Sequence, residues 1–161
     1  MESCCTIPET KKAPPVHKCP ACGDRGKKVE RVTVEHLLHT GLLSRIGETQ
    51  YYFCETATCP TVYFPFDAGA PLFEKSDLRV RVGLKETEDP VPICYCFGLT
   101  RIDILDEINT TGTSTVVGRI KAEVQAGNCA CEVKNPSGKC CLGNVMKLVT
   151  QKHTINREIR I

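Results

Sequence analysis

The residues of this sequence best suited to chemistry are its twelve cysteines, because a thiolate is both a nucleophile and a strong ligand for soft and borderline metal ions. Their spacing divides them into groups. Cys19-Pro-Ala-Cys22 and Cys54-Glu-Thr-Ala-Thr-Cys59 are two short-spaced pairs separated by enough chain for a strand and a helix. Two such pairs, each on a tight turn, meet at one tetrahedral zinc with Zn–S bonds of about 2.3 Å. Gly23, directly after the first pair, relaxes the turn backbone. Cys19, Cys22, Cys54 and Cys59 leave no coordination position open for water, so the site they imply is structural rather than hydrolytic. A redox reading of Cys19-Pro-Ala-Cys22 is weaker, because a thioredoxin-like motif needs a strand-to-helix turn of an α/β fold that the sequence does not predict.

The second set is Cys94-Tyr-Cys96, Cys129-Ala-Cys131 and Cys140-Cys141. In extended backbone, residues two apart project to one side, so Cys94 and Cys96 can grip one iron. Adjacent residues diverge, so one of Cys140 and Cys141 is expected to bind at the same site. Two loops, each offering two thiolates, suit a [2Fe–2S] cluster, in which every iron takes two cysteines and two bridging sulfides. Such a site moves single electrons. Spacing leaves the ligand quartet open, Cys94, Cys96, Cys129 and Cys131 being one choice, and it leaves open a second zinc.

The remaining chemistry-bearing residues are less constrained. Cys4 and Cys5 are adjacent and near the start, and they either capture a soft ion such as Cu(I) or remain idle thiols. His17, His36, His39 and His153 have no evident set of companions. No Ser-His-Asp grouping or glycine-rich phosphate loop supports a hydrolase. The net charge of +2 and the mixing of basic with acidic residues give no footprint for nucleic acid. No stretch reaches the roughly 18 apolar residues of a membrane span, and Met1 to Pro15 lacks the apolar centre of a secretory signal. A cytoplasmic protein without membrane insertion is therefore expected, and in that reducing compartment cysteines serve metals rather than disulfides.

The elements that must position these thiols divide the chain. Residues 1–16 read as a flexible arm, 17–85 as a zinc-ribbon-like β subdomain, 86–92 as a linker, 93–152 as a small helical [2Fe–2S]-binding domain and 153–161 as a tail, an α+β arrangement. Within 17–85, Val29, Val32 and Val34 read as a short strand, with a short helix over Glu35 to Leu38 stopped near Gly41. Tyr51-Tyr52-Phe53 and Val62 to Phe66 form a hairpin around the second cysteine pair, and Leu78 to Val82, which alternates apolar and basic residues, completes the sheet. Further on, Thr100 with Asp103 caps a helix bearing Ile102, Leu105 and Ile108 and ending before Gly112. Thr113 or Ser114 caps a second, with Val117, Ile120 and Val124 on its buried face and Gly127 at its end. Asn135-Pro136-Ser137-Gly138 is a turn, and a weaker helix runs from about Leu142 through Val145, Met146 and Val149.

Three segments together resemble a known family. They are Cys54…Cys59-Pro-Thr-Val-Tyr63-Phe64, Val80 to Lys85 with Cys94-Tyr-Cys96-Phe-Gly, and Gly127-Asn-Cys129-Ala-Cys131 through Asn135-Pro136-Ser-Gly-Lys-Cys140-Cys141-Leu-Gly. The combination is similar to the amino-terminal domain of the iron–sulfur type of CopZ copper chaperone, over roughly residues 17–150. The resemblance implies a zinc site joined to a [2Fe–2S] domain like that of bacterioferritin-associated ferredoxin, with Cys94, Cys96, Cys131 and Cys141 as cluster ligands. It also implies a role in copper handling, with a copper-binding chaperone module or a metal-transporting ATPase as partner and the redox partner undefined. The Met-x-Cys-x-x-Cys copper loop of such chaperones is not found here, so the copper-binding module is expected on a separate polypeptide, or Cys4-Cys5 takes the ion. The leading expectation is electron transfer from the cluster to reduce Cu(II) to Cu(I). A general ferredoxin-like partner unrelated to copper and a non-redox zinc interaction module are the alternatives.

Overall fold

The computed structural model describes residues 17–159. Cys4, Cys5 and the arm assigned to 1–16 lie outside the described residues. The first part of the chain builds an antiparallel sheet from β1 (Lys27–Val29), β2 (Tyr51–Phe53), β3 (Thr61–Pro65) and β4 (Phe73–Glu74) in sequence order, with α1 (Arg31–Leu37) between the first two. The register sets Lys27 opposite Phe53 and Phe53 opposite Tyr63. Because strand side chains alternate faces, Tyr51, Phe53 and Tyr63 join Val29, Val34, Leu37, Leu38 and Phe73 in one buried cluster. Tyr52 and Phe64, paired across the strands, point the other way and stack with ring centroids 5.6 Å apart. That second face packs against Cys19, Cys54 and Cys59, so the aromatic sheet is the floor of the first cysteine group.

The second part begins with a hairpin of β5 (Pro92–Cys94) and β6 (Leu99–Thr100) and continues as α2 (Arg101–Thr111), α3 (Val116–Gln125), α4 (Cys131–Lys134) and α5 (Leu142–Glu158). Thr100 caps α2 as predicted: its hydroxyl accepts the Asp103 N–H and the Asp103 carboxylate accepts the Thr100 N–H. Gly112, with φ +80°, ends that helix in the left-handed conformation that lacks a Cβ penalty only for glycine. Ile104, Ile108, Val116, Ile120 and Val145 form the core, into which Cys94 and Cys141 also pack. So small a core supplies limited burial free energy, which is why ligands that stay together matter here.

The hairpin around the second cysteine pair forms as read from its aromatic runs, but several expectations are corrected. The strand ends at Val29, and Val32 and Val34 belong to α1, which begins at Arg31. Leu78 to Val82 is not a strand. Leu78 and Val82 are buried as their alternation requires, but beyond a single bridge from Leu78 to Leu38 the segment makes no ladder, and Phe73–Glu74 takes the fourth sheet position. Ile102 and Val124 are exposed, and the buried stripes of α2 and α3 run through Ile104 with Ile108 and Val116 with Ile120. The second helix is preceded by Thr115 as N-cap residue, while the Ser114 hydroxyl accepts the Val116 N–H at 3.2 Å. The tail assigned to 153–161 is helical through Glu158, α5 being the longest helix among the described residues, and Met146 on it is exposed.

The two parts are packed together. Tyr63, fully buried in the sheet, donates its hydroxyl to the Pro136 carbonyl at 2.7 Å. Helix α1 packs on α4. Residues 86–92 are held in place by two arginines. Arg81 bonds Glu86 and the carbonyls of Glu88 and Pro90, and Arg101 bonds Asp89 and the Thr87 carbonyl. Residues 86–92 thus run as a braced segment from the sheet part, with its own core, into the β5–β6 hairpin of the second.

Candidate metal centres

The first centre is made by two backbone turns. Around Cys19, the Gly23 N–H bonds the Cys19 carbonyl and the Cys19 N–H bonds the Asp24 carbonyl, both at 2.8 Å. Gly23 sits at φ +78°, where any Cβ is strained. Around the second pair, the Cys54 N–H bonds Val62 and the Cys59 N–H bonds Thr56. These turns bring all four predicted sulfurs within 4.8 Å of one another. The Cys19 and Cys59 sulfurs are 3.9 Å apart and those of Cys22 and Cys54 are 3.7 Å apart. A regular tetrahedron of bonds of about 2.3 Å has edges of about 3.8 Å, so the donor set fits a zinc ion in size and chemistry.

The surroundings set the thiol acidities. Burial, the largest influence, pushes Cys54 up to about 12 and also raises Cys19. A hydrogen bond with the Thr56 hydroxyl is the leading influence on half-exposed Cys22 and lowers it to about 7. Thr56 is itself fixed by donating to Asp24 at 2.6 Å. Lys85 is the residue that spacing did not reveal. It is only 5% exposed, and its ammonium donates to the carbonyls of Thr56 at 2.7 Å and Cys59 at 3.0 Å. Buried ammonium groups are costly unless paired, and this one braces the Cys54–Cys59 loop while bringing positive charge to a set of thiolates. Nothing in the local pattern separates Lys85 from the other lysines. His17 packs at a tilt against Tyr52 and meets Phe66 edge-on, and His36 bonds the Val32 carbonyl on an exposed helix face.

The second centre brings the sulfurs of Cys96, Cys129 and Cys131 within 4.8 Å of one another, with Cys94 and Cys141 buried in the adjoining core and not within that group. Cys94 ends β5, Cys96 lies in the following turn, Cys129 follows α3, Cys131 opens α4 and Cys141 is the N-cap residue of α5. Cys96 is 3.4 Å from Cys131 and 3.9 Å from Cys129, sulfur to sulfur, and Cys129 and Cys131 are 3.2 Å apart. The Ala130 N–H donates to the Cys96 sulfur. Cys94 and Cys141 are instead buried together in the helical core, and the influence of each on the other is the main reason that Cys94 is lowered to about 6 and Cys141 is raised. Burial raises Cys96 and Cys131. The expectation that Cys94 and Cys96 face one way does not hold as stated, because the turn begins directly after Cys94 and the two thiols are not on one extended segment. Cys140 is exposed, and Cys141 is the member of that pair that points inward.

A hydrogen-bonded strut joins the two centres. The Tyr95 hydroxyl, between Cys94 and Cys96, accepts the Gly83 N–H and donates to the Arg81 carbonyl, each at 2.8 Å. Lys85 lies on the same 3-10 turn as Gly83. A Cβ on Gly83 would fall 1.9 Å from the Pro92 carbonyl oxygen, so only glycine lets this turn approach β5.

Two groups of converging thiols, one of four sulfurs on two turns and one of three beside a helical core, define a cysteine-ligating metal protein. Residues 16–79 match a family model described as a zinc binding domain and belonging to CopZ. The chain is 35% identical over 133 residues to the copper chaperone CopZ of Archaeoglobus fulgidus, covering 81% of this chain and 61% of that protein. It also matches the X-ray structure of the A. fulgidus CopZ N-terminal domain at 35% identity and a TM-score of 0.66, covering 82% of this chain and 97% of that one. The chain belongs to the family of the CopZ amino-terminal domain. Its first part is thus a zinc-binding domain of the CopZ type. The match spans 61% of the length of the curated relative. Among the described residues, no helix is long and apolar enough to cross a membrane.

Proposed function

We propose that this protein serves copper trafficking as a one-electron donor, with zinc held by Cys19, Cys22, Cys54 and Cys59 and a [2Fe–2S] cluster held by Cys94, Cys96, Cys131 and Cys141. The observation that carries the reading is the second centre. Cys96 and Cys131 bring their sulfurs to 3.4 Å, Cys94 and Cys141 are buried together in the adjoining core, and two thiolates for each of two irons is the donor set of such a cluster. The cluster, when bound, supplies a reversible single electron. The chain's residues do the rest. Ala130 offers an N–H to the Cys96 sulfur, which stabilises added negative charge there. The zinc site, closed by four thiolates, holds the sheet against which α1, itself packed on α4, buries Val34 and Leu37. The similarity to a copper chaperone supports Cu(II) as the electron acceptor, one electron converting it to Cu(I), the ion that soft thiolates bind best. It likewise supports a cytoplasmic setting and hand-over to a copper-binding chaperone module or a metal-transporting ATPase.

The test is anaerobic titration of the dithionite-reduced, desalted protein with Cu(II), following the visible spectrum and trapping Cu(I) with bathocuproine. One Cu(I) for each reoxidised cluster is the expected stoichiometry. Reoxidation without Cu(I), or a colourless protein containing zinc alone, refutes the reductive role.

A further inference from the structure

We propose that Cys129 and Cys131 are alternative ligands for a single corner of the second centre, so that the cluster is held in two exchanging forms. The inference rests on the cluster reading above and adds to it a fifth thiolate with a defined place. The two sulfurs are 3.2 Å apart, on either side of Ala130, and they face the same partner, Cys96, at 3.9 and 3.4 Å. An iron of a [2Fe–2S] cluster takes only two cysteines. With Cys94 and Cys141, buried together in the adjoining core, assigned to the other iron, one vacancy beside Cys96 faces two candidate thiolates.

Neither candidate is excluded by its surroundings. Cys131 is buried and opens α4, whereas Cys129 is half-exposed in the loop that leaves α3 through Gly127, at φ +77°. The Ala126, Gly127 and Asn128 side of this loop is exposed, so the backbone is free to yield by tenths of an ångström. Rotating a cysteine between staggered χ1 wells moves its sulfur by about 3 Å, comparable with the 3.2 Å that separates these two. Exchange therefore needs a rotamer change in each residue and no refolding of the hairpin or helices. The displaced thiolate stays in contact with the cluster edge, and when it is Cys129 it is also open to solvent.

The experiment compares the full chain with Cys129→Ala, Cys131→Ala and the double variant, each reconstituted anaerobically with iron and sulfide. Iron and sulfide are counted, EPR of the reduced state is recorded, and far-UV circular dichroism checks the fold. Two irons and two sulfides in both single variants are expected, with EPR g-values that differ between them and a wild-type spectrum that is the sum of the two. The double variant should lose most of its cluster. Complete loss in one single variant, with a wild-type spectrum in the other, assigns a fixed ligand and overturns the exchange while leaving the cluster reading intact. A wild-type chain that takes up no iron or sulfide sinks both. Should Cys131→Ala fail to fold, alkylation of the iron-loaded wild type decides the matter. Peptide mapping that shows slow labelling at both Cys129 and Cys131 is the expected result, and labelling confined to one of them refutes the exchange.

Discussion

Replacing Lys85 by Met removes an ammonium from beneath the Cys54–Cys59 loop while keeping most of the volume that is buried there. Two donors are lost, to Thr56 and Cys59, and both carbonyls belong to the loop that carries two zinc thiolates. Hydrogen bonds from a charged group contribute about 1.5–3 kcal/mol each, so the gross loss is about 3–6 kcal/mol. Sparing the cost of burying an ammonium offsets part of it, leaving about 2–4 kcal/mol. At about 1.4 kcal/mol per tenfold, zinc affinity should fall by roughly 30- to 1000-fold if the loop is ordered mainly in the zinc-bound state. Competition against a chromophoric chelator measures this directly. Lys75→Met is the control, since Lys75 reaches the Glu86 carboxylate and the Lys85 carbonyl, both at 3.3 Å, from a side chain that is 41% exposed and such surface contacts contribute little. A zinc affinity for Lys85→Met within threefold of wild type would show that the ammonium merely fills space, and the account of the loop would be wrong.

Three further perturbations probe the joints between the parts. Tyr63→Phe strips the buried Pro136 carbonyl of its donor, and urea unfolding should show a loss of about 1–3 kcal/mol; an unchanged midpoint would mean the sheet and the 135–138 turn are held together by packing alone. Gly83→Ala places a methyl 1.9 Å from the Pro92 oxygen, so β5 must shift, and the melting temperature should fall with a cost of at least about 1–3 kcal/mol; a stable variant with unchanged Tyr95 fluorescence contradicts the close approach. Glu86→Gln addresses pH. Burial raises the Glu86 carboxyl, but hydrogen bonds and charge from Arg81 and Lys75 outweigh it and hold the group below its ordinary value. A depressed carboxylate stabilises the fold fully above its unfolded pKa of about 4.3 and loses that contribution as pH falls through the lower folded value. The stability advantage of wild type over Glu86→Gln should therefore be constant at neutral pH and shrink on acidification below about pH 4.3, as followed by thermal melts at matched ionic strength; an advantage that grows in acid reverses the assigned sign.

How much of this was readable before any coordinates follows from what each feature depends on. The convergence of Cys19, Cys22, Cys54 and Cys59 was legible because a two-turn thiolate group is written in local spacing: Cys19 to Cys22 and Cys54 to Cys59 each close within one turn, and both turns carry the backbone bonds such turns need. The aromatic hairpin, the Thr100–Asp103 capping box and the glycine stops at Gly112 and Gly127 were legible for the same reason. The Leu78–Val82 segment shows the limit. Its alternation correctly buries Leu78 and Val82, but periodicity records which side is apolar and not whether a neighbouring strand is present to pair.

Sequence by itself thus determined that there are two cysteine groups, that the first is a closed four-thiolate set, and which turns and caps hold the chain around them. Tertiary structure alone decided which thiols of the second group face one another. Cys94 and Cys141, 47 positions apart, are buried in one cluster, and Cys96 meets Cys129 and Cys131 across two helices. It also decided that Lys85 and Tyr95 tie the two centres together. These are contacts between residues distant in sequence, fixed by how the helices and the sheet pack, and no local pattern of residue types encodes them.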